Sequence, residues 1–534
     1  MARYRHPIPG LLSSTIVTTS TTPRRSCYIH WPIMRERITF VQKQGNSIEP
    51  TTLKIKSGVL NGPEIQAARE DRLTIAVDEL PTDLQALLGT AHELHIRYVS
   101  SQPYEAITPL LARLPPGFHL FYTPAREAEA TSSALCLTLN KVFGNVQCET
   151  PQESFTTLPR DRFTHSAAYQ YYQQSVDFSP FIEYAKQKLC SSVKDQSCAI
   201  RVDSLAEAST LDISYDAISH AVKLTAAWPY QKREVHATSR PQARTEVGVL
   251  NSDRPGHLEP HEVGISGLLT VLGQDEKPSA TMFAFASRHR DAESSFSAEL
   301  LEPTGLHPTL QLKLESNKPP TEDAYCSPHA YFTLPKTIFA DRHQLSDDLF
   351  LTSKNLTGLR YISQPVDLEA PEYVEKRWGS ALLLELSAPE HEKSESWTAQ
   401  VPLHLRYLSP AEGGDTDIEV PYPAVFWACA AEEGTKFPNN PFEKVNLGYD
   451  GLFGPRTVFW HVEPRPEIGS QLTNTIKVPV LDTDKAEWVS GGTGLAVLLG
   501  FAWIVWKLFG VLSKSGYQSQ PAQATEASKT KKKQ

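Results

Sequence analysis

The chain has 534 residues, of which 40% are hydrophobic and 21% are charged, so it can bury the cores of about two to four domains. Its formal net charge of −9 is spread thinly along the sequence and leaves no basic face. Nucleic acid is therefore excluded as a partner, because phosphate binding needs clustered Lys and Arg. Forty prolines against three methionines favour short strands and turns, so we expect a mainly β fold.

The first segment, residues 1–33, contains Arg and many Ser and Thr residues but no continuous apolar core. A secretory signal peptide requires such a core. The composition fits a poor mitochondrial presequence or an unstructured leader before Met34. We expect residues 1–33 to be a disordered leader or an extension.

Residues 34–146 show the alternation of polar and apolar residues that half-buried strands require. The strand candidates are RERITFVQK, TTLKIKSGVL, RLTIAVDEL, GFHLFYTP and ALCLTLNKVFG. The segment PTDLQALLGTAHELHI fits either a short helix or a turn into a strand. We therefore expect an N-terminal β-rich region.

Residues 147–304 are predicted to be a less regular middle region. The segment AAYQYYQQSVDF fits an aromatic helix face or an extended segment, and residues 239–261 are rich in Pro, Arg, Glu and His, which is typical of a loop. Four side chains of metal-binding type lie at the end of this loop: His257, Glu259, His261 and Glu262. Because Pro255 and Pro260 break any regular helix there, we predict an exposed loop without a metal.

Seven cysteines are distributed along the chain without a CxxC pair, and no His lies at zinc-ligand spacing from a Cys pair. A structural zinc site is therefore not expected. Cys190 and Cys198 are placed to close a small disulfide loop if the body lies in an oxidising compartment. The alternative is that the thiols are buried as small hydrophobic groups. The odd total leaves at least one thiol unpaired within the chain.

Residues 305–466 contain strand candidates separated by Pro and Gly turns: LQLKLES, AYFTLP, ALLLELS, VPLHLRYL, IEVPYPAVFWAC and TVFWHVEP. In VPLHLRYL, alternation places Val401, Leu403, Leu405 and Tyr407 on one face. We expect an antiparallel β-sandwich just above a membrane, with one face free for a partner. The sequon NLT makes Asn355 a candidate for N-glycosylation.

The motif DTD occurs twice, at Asp415–Asp417 and at Asp482–Asp484. Paired Asp residues can hold a divalent cation on a nucleotide-sugar diphosphate, as in glycosyltransferases. The pattern is short, however, and the first copy is expected to lie in a Gly-rich hairpin turn and the second in the juxtamembrane stalk, so turn chemistry is the simpler interpretation of both. The sequence contains no GxSxG elbow, P-loop, dinucleotide fingerprint or HExxH.

Residues 467–487 are predicted to be a juxtamembrane stalk and residues 488–512 a transmembrane helix. No charged residue occurs from Trp488 to Trp506, which is about 19 residues or roughly 28 Å of helix. The segment also lacks His, so it is not a proton or substrate path. Four glycines leave flat patches for another helix or form a flexible joint: Gly491, Gly492, Gly494 and Gly500.

Basic residues follow this segment, in a tail over residues 513–534, whereas acidic residues precede it. The positive-inside rule therefore places the tail in the cytosol and the body in the lumen. Lys531 and Lys532 match the dilysine pattern for retrieval to the endoplasmic reticulum. A solvated basic tail and a tail-anchored protein with a cytosolic body are the alternatives. Glycosylation at Asn355 requires the lumenal arrangement.

Five segments of the C-terminal half carry a family resemblance: HAYFTLPKTIFADRHQL, LEAPEYVEKRWGSALLLEL, VPLHLRYLSP, VPYPAVFWAC and NLGYDGLFGPRTVFWHVEP. They closely resemble the PIG-X family in its fungal form, and RERITFVQKQGNSIEPTTLKI resembles the start of fungal members. The resemblance implies a single-pass protein of the endoplasmic reticulum membrane with a lumenal body, an accessory subunit of glycosylphosphatidylinositol (GPI) mannosyltransferase I. It implies neither catalytic residues nor a cofactor.

The resemblance also implies a partner: a multi-span, PIG-M-like catalytic subunit that adds the first mannose during GPI-anchor biosynthesis. Our leading hypothesis is a non-catalytic subunit that stabilises this partner and assists the folding of other proteins of the endoplasmic reticulum. Four aromatic residues are candidates for partner contact or for core packing: Tyr407, Phe453, Phe459 and Trp460. Two alternatives stay open, a single-pass lumenal glycosyltransferase using Asp415 and Asp417, and a general lumenal folding factor.

Overall fold

The computed structural model describes residues 34–515, apart from 47, 126–132, 159–168, 191–195, 241–242, 254–257, 260, 303–304, 323, 364–365, 391–394, 443–447 and 468. The leader over 1–33, His257, Lys531 and Lys532 lie outside these residues. The fold is mainly β, with 44% strand and 22% helix, and it ends in one apolar helix. The predicted fold class is confirmed.

The N-terminal half of the body is one large sheet. Its strands are β1 (Met34–Gln42), β2 (Lys54–Lys56), β3 (Val59–Ala76), β4 (Ala91–Val99), β5 (Gly117–Pro124), β6 (Thr156–Thr157), β7 (Tyr169–Gln173), β8 (Thr210–Asp216), β9 (Ala221–Thr238), β10 (Ala243–Asp253), β11 (Glu262–Val271) and β12 (Ser279–Ala286). The order is β12-β11-β10-β1-β3-β9-β8-β4-β5-β7-β6, with β2 beside β3. β1 and β10 run parallel, whereas the other neighbours are antiparallel.

Seven α-helices lie within the described residues: α1 (Thr82–Leu88), α2 (Ala134–Phe143), α3 (Pro151–Ser154), α4 (Ser179–Lys188), α5 (Gln196–Asp203), α6 (Asp348–Thr352) and α7 (Thr483–Ser515). Helix α2 corrects a prediction, since ALCLTLNKVFG was expected to be a strand. Its buried side chains Leu135, Leu139 and Phe143 are spaced four residues apart, which is a helical period. They pack with Phe181 of α4 in the core of the first sheet.

The C-terminal half contains a second sheet and two ribbons. Its strands are β13 (His289–Leu300), β14 (Thr309–Leu314), β15 (Cys326–Pro335), β16 (Ile338–Phe339), β17 (Leu356–Ile362), β18 (Gly379–Leu386), β19 (Trp397–Pro402), β20 (His404–Leu405), β21 (Asp415–Pro421), β22 (Ala424–Ala430), β23 (Thr457–Pro464) and β24 (Thr473–Pro479). The second sheet has the order β17-β18-β15-β22-β23-β13-β14-β19, and the ribbons pair β16 with β20 and β21 with β24.

The second sheet uses both of its faces for packing. Phe332, Leu384 and Trp427 point into a core that also contains side chains from β14, β19 and β24, so the sheet curls around this core. The alternate residues, including Tyr331 and Phe426, share a core with the first sheet. Because successive side chains in a strand point to opposite faces, the near-continuous apolar runs of β15, β18 and β22 follow from this double burial.

Polar contacts also join the two sheets. Gln170 of β7 donates from Nε2 to the Tyr331 hydroxyl at 2.8 Å, and the Trp378 indole donates to the Gln170 carbonyl at 2.9 Å. The Tyr449 hydroxyl donates to the Arg113 carbonyl, also at 2.9 Å. All three are long-range contacts between the halves of the chain, so the two sheets form one packed body.

The middle region is more regular than predicted. Strand β10 occupies the centre of the 239–261 segment that was expected to be a loop, and it pairs with β1 and β11. Its Val247 and Val249 are buried in the first sheet, whereas Pro and charged residues lie at its two ends. Those end residues dominated the composition and hid the strand.

Two predicted boundaries also change. Strand β13 precedes residue 305 but lies inside the second sheet, between β23 and β14. Strand β24 occupies the middle of the predicted 467–487 stalk and pairs along its whole length with β21. Only three residues separate β24 from α7, so the folded body extends almost to the apolar helix.

Helix α7 contains the predicted membrane segment 488–512. Among the described helices it alone is long and apolar enough to cross a membrane, with a mean hydropathy of 2.2 in its most apolar window. None of that window is buried against the body. An apolar helix that the protein itself does not cover fits a membrane span.

Candidate functional site

A groove of about 560 Å³ crosses five neighbouring strands of the second sheet, from β17 to β23. The sheet face that packs against the first sheet near Tyr331 and Phe426 continues into this groove, where no first-sheet residue lines it. The lining comprises Tyr325, Ser327, His329, Leu359, Arg360, Leu383, Glu385, Ala428, Cys429, Ala430, Leu452, Phe453, Gly454 and Thr457. We call it the sheet groove.

Three ionisable side chains meet on the floor of the sheet groove. Glu385 of β18 is 5% exposed and accepts hydrogen bonds from the guanidinium of Arg360 on β17. His329 Nε2 lies 3.9 Å from the same carboxylate, and His329 Nδ1 lies 3.0 Å from the Ser327 carbonyl. Burial lowers the pKa of His329 to about 4, against the opposing effects of the Ser327 carbonyl and Glu385. His329 is therefore neutral at neutral pH, with Nδ1 as the donor.

Aromatic rings flank this polar floor. Phe453 meets His329 edge-on at a centroid distance of 5.0 Å, and Phe426 stacks on the same imidazole at 6.0 Å. Tyr325, at the mouth of the groove, is 78% exposed. The groove thus offers a guanidinium, a neutral imidazole acceptor and aromatic walls. This combination suits the binding of a polypeptide segment, with apolar contacts for affinity and polar ones for orientation.

The sheet groove does not assemble a nucleophile with a base. His329 hydrogen-bonds to a backbone carbonyl rather than to a hydroxyl or thiol. Among the described residues, no group of three or more His, Cys, Asp and Glu side chains is arranged to hold a metal. His261 stacks edge-on against Phe437, and Glu262 Oε2 accepts from the Glu259 backbone amide. These residues therefore take part in aromatic packing and in a turn.

Sequence reasoning missed the groove, although one signal pointed to it. His329 and Glu385 are polar residues within otherwise apolar runs, PHAYFTLP and ALLLELS. A polar side chain at a buried strand position needs a partner, so such a residue marks a site worth attention. Their meeting depends on the pairing of β15 with β18, where His329 lies directly opposite Glu385.

The structure places Asn355 in an exposed turn between α6 and β17. Its φ is +56°, and its side-chain Nδ2 donates to the Thr398 carbonyl at 2.7 Å. Its own carbonyl accepts from the Ser387 amide at 2.9 Å. The turn therefore links the end of β18 with β19, near the two edges of the curled sheet, with Asn355 exposed and Leu356 buried.

Cys190 and Cys198 are joined by a disulfide. Two further disulfides were not anticipated, Cys136–Cys148 and Cys326–Cys429. The second of these closes a separation of 103 residues, and its cysteines lie directly opposite on β15 and β22. Sequence spacing carries no signal for such a pair, because strand register alone brings the thiols together. Cys27 lies outside the described residues.

The two DTD motifs lie near each other where the body meets α7. Ala411, just before the first motif, forms a backbone bridge to Asp482 of the second. Asp415 begins strand β21 rather than a turn, and its carboxylate lies 3.1 Å from Lys477 Nζ on β24.

The candidate contact aromatics separate into two groups. Phe459 and Trp460 are buried core residues, whereas Phe453 lines the sheet groove. Val401, Leu403 and Leu405 are buried as predicted. Tyr407 is not on their face: it is 71% exposed, because β20 ends at Leu405 and the chain leaves the sheet.

Together, the fold and the site define a β-rich body of two packed sheets that carries the sheet groove and continues into the long apolar helix α7. The family model that describes PIG-X / PBN1 matches residues 303–509, which include every residue of the sheet groove. A protein of Neurospora crassa called Protein pbn1 is 88% identical over 501 residues, covering 94% of this chain and 100% of that protein. The chain belongs to the PIG-X / PBN1 family.

More distant relatives carry the same name. Protein PBN1 of Gibberella zeae is 44% identical over 93% of this chain and 100% of its own length. Protein PBN1 of Saccharomyces cerevisiae is 30% identical over 50% of this chain and 59% of its own. The family membership supports a role in GPI-anchor biosynthesis.

Solved structures add no further argument. A zebrafish Fcho1 Mu homology domain with bound Eps15 peptide covers 84% of this chain and 96% of its own, at 11% identity and a TM-score of 0.13. A score this low does not establish a shared fold.

Proposed function

We propose that this chain is a non-catalytic subunit of the endoplasmic reticulum membrane that stabilises the catalytic subunit of GPI mannosyltransferase I. That multi-span, PIG-M-like enzyme adds the first mannose during GPI-anchor biosynthesis. The observation that carries the proposal is the sheet groove, whose lining residues all fall within the family-matched segment 303–509. The groove combines aromatic and polar side chains without pairing a nucleophile with a base, which favours a segment of another protein as its ligand. Assistance to the folding of other proteins in this compartment uses the same surface.

Three features support a lumenal body. Three disulfides join six cysteines, and disulfides persist in oxidising compartments such as this lumen. Lysines follow the apolar helix in the tail, and the positive-inside rule places them in the cytosol. Lys531 and Lys532 would then be readable as a retrieval signal, and the exposed Asn355 would be open to glycosylation.

The mechanism of stabilisation is mass action. A subunit that binds only the folded state of the enzyme shifts its folding equilibrium by RT ln(1 + [L]/Kd), about 2.7 kcal/mol at a hundredfold excess over Kd. We assign the sheet groove to a lumenal loop of the enzyme and α7 to packing beside its membrane helices. Loss of the subunit should therefore reduce the abundance of the enzyme more than its intrinsic turnover.

Co-purification of the multi-span enzyme in mild detergent tests the proposal. Arg360→Glu places like charges beside Glu385, and Tyr325→Ser removes the exposed aromatic at the mouth of the groove. Both variants should reduce the recovered enzyme and its cellular level. Arg465→Glu is the matched control, because its side chain is 64% exposed and lies outside the groove. If depletion of the chain leaves the enzyme at its normal level, the stabilising role is wrong.

A further inference from the structure

The body has almost no stalk above the apolar helix. Strand β24 ends at Pro479 and α7 begins at Thr483. Ala411 fixes this junction from the side: its amide donates to the Leu481 carbonyl at 3.1 Å, and its carbonyl accepts from the Thr483 amide at 3.2 Å. The segment just before β21 therefore holds the start of α7 against the body.

An exposed apolar surface lies beside this junction. Tyr373, Val374 and Tyr407 are 64%, 60% and 71% exposed, respectively. The Glu372 amide donates to the Tyr407 carbonyl at 2.9 Å, so the two chain segments run side by side. We call these three residues the tyrosine patch. The Arg406 amide, next to Tyr407, donates to the carbonyl of Thr337, which follows the C-terminal end of β15. The groove residue Ser327 lies at the N-terminal end of the same strand, so the patch and the sheet groove are at opposite ends of β15.

The chain connection keeps Tyr407 of the tyrosine patch near the start of α7. Tyr407 precedes Ala411 by four residues, so the chain limits their separation to about 14 Å. Trp488 is 85% exposed and begins the uncharged part of α7, about 7.5 Å along the helix from Thr483. The polar interface on each side of a bilayer is about 5–8 Å thick. With Trp488 at the hydrocarbon boundary, Thr483 and the base of the body therefore lie at the level of the lipid headgroups.

We propose that the tyrosine patch is a lipid-contact surface, inserted into the interfacial layer of the same membrane that α7 spans. Tyr side chains favour this layer, because the ring is apolar and the hydroxyl remains hydrated. The inference rests on α7 as a membrane span and is independent of the proposed mannosyltransferase partner. In this arrangement the body is held rigidly to α7, and its base contacts the bilayer surface.

The charges around the patch favour contact with the neutral interface over recognition of anionic lipid. Lys336 Nζ lies 2.5 Å from Glu372, and Lys376 Nζ lies 3.6 Å from Glu153. The guanidinium of Arg406 donates to the Ala370 carbonyl and lies over the Phe339 ring. These cations already have partners within the body. Contact should therefore occur with zwitterionic phosphatidylcholine alone and should be insensitive to salt.

Spin-label accessibility in the full chain tests the proposal. The chain is reconstituted into phosphatidylcholine vesicles with Cys27 replaced by Ser, since the six other cysteines are paired in disulfides. A nitroxide label is attached at position 374 in two variants: Val374→Cys alone, and Val374→Cys combined with Tyr407→Ser. The control is Met282→Cys on β12, which is also apolar and is 81% exposed. Collision rates with membrane-soluble oxygen and with a water-soluble nickel chelate are then compared.

At position 374 we expect a several-fold lower nickel collision rate and a higher oxygen collision rate than at 282. Loss of Tyr407 in the double variant should bring the two collision rates of the label at 374 closer to those at 282. Equal nickel accessibility at 374 and 282 would overturn the proposal. Protection at 374 that arises only after the multi-span enzyme is co-reconstituted would also overturn it, because the patch would then contact protein rather than lipid.

Discussion

Four histidines at the core of the body are held in their neutral form. Burial lowers the pKa of His119 and of His461 to about 3, lowers that of His329 to about 4, and lowers that of His289 well below its usual value. His289 Nδ1 lies 3.1 Å from His461 Nε2, so the two rings share one hydrogen bond. Protonation of both rings would remove that bond and place two charges side by side. The folded state therefore resists protonation at all four rings.

This arrangement predicts that lowering the pH destabilises the protein already at values well above those at which carboxylates titrate. Each folded pKa lies below the unfolded value of about 6.5, so the unfolded state binds more protons as the pH falls through 6.5. Each ring then reduces the free energy of unfolding by about 1.4 kcal/mol per pH unit. Urea unfolding of the detergent-solubilised chain should therefore show a lower midpoint at about pH 5.5 than at about pH 7. His461→Phe should make this dependence shallower, and equal midpoints at the two pH values would contradict the prediction.

The first DTD motif provides a second test at the level of single residues. Asp415 pairs with Lys477, and the two side chains are 46% and 69% exposed, so the pair contributes at most about 1 kcal/mol. Replacement of Asp415 and Asp417 by Ala should leave both stability and complementation of a deletion strain nearly unchanged. Loss of GPI mannosylation with normal protein levels would instead favour the lumenal glycosyltransferase hypothesis.

At the scale of single elements, disulfides fix strand positions. Cys326–Cys429 joins β15 to β22, and Cys429 lines the sheet groove. Cys190–Cys198 closes a separation of only eight residues, and Cys198 lies within α5. In the chain-entropy treatment, a cross-link contributes more stability when the loop that it closes is longer. The two bonds thus form a natural pair for comparison.

Removal of the two disulfides should affect stability unequally. Cys326→Ala/Cys429→Ala should lower the free energy of unfolding by about 5 kcal/mol and Cys190→Ala/Cys198→Ala by about 2.5 kcal/mol, because their closed loops differ in length. Chemical denaturation of both double variants gives the comparison. The first variant should also recover less of the multi-span enzyme, since the groove loses its cross-link. Equal losses for the two pairs would contradict the chain-entropy reasoning.

Local patterns predicted many of the elements but not their assembly. Alternation in GFHLFYTP corresponds to β5, and the apolar run after Trp488 corresponds to α7, because both signals are periodic over short distances. Strand β10 was missed because the composition around it is typical of a loop. It is a strand because it pairs with β1 and β11, and that pairing is not visible in its own residues. The sheet groove required the order of five strands, and strand order depends on long-range pairing that one sequence does not encode locally.

At the scale of the whole molecule, the two sheets depend on each other. Tyr331, Phe426 and Tyr449 of the C-terminal half are buried in one core with Phe121 and Tyr172 of the N-terminal half. The family-matched segment 303–509 is therefore not a self-contained unit, although it includes the whole groove. The N-terminal sheet packs against one face of the second sheet, and the sheet groove lies on the part of that face beyond this packing.

A fragment beginning at residue 303 should consequently fail to fold. It lacks β13, which lies between β23 and β14, so the second sheet would be divided into two parts with new open edges. It would also expose Tyr331, Phe426 and Tyr449 to solvent. Limited proteolysis and near-ultraviolet circular dichroism in detergent should show a protease-sensitive chain without fixed aromatic packing. A longer fragment from residue 287 restores β13 and should recover part of the sheet, while the full chain should unfold in a single transition. A protease-resistant, monomeric 303–515 fragment would show instead that the second sheet is an independent domain.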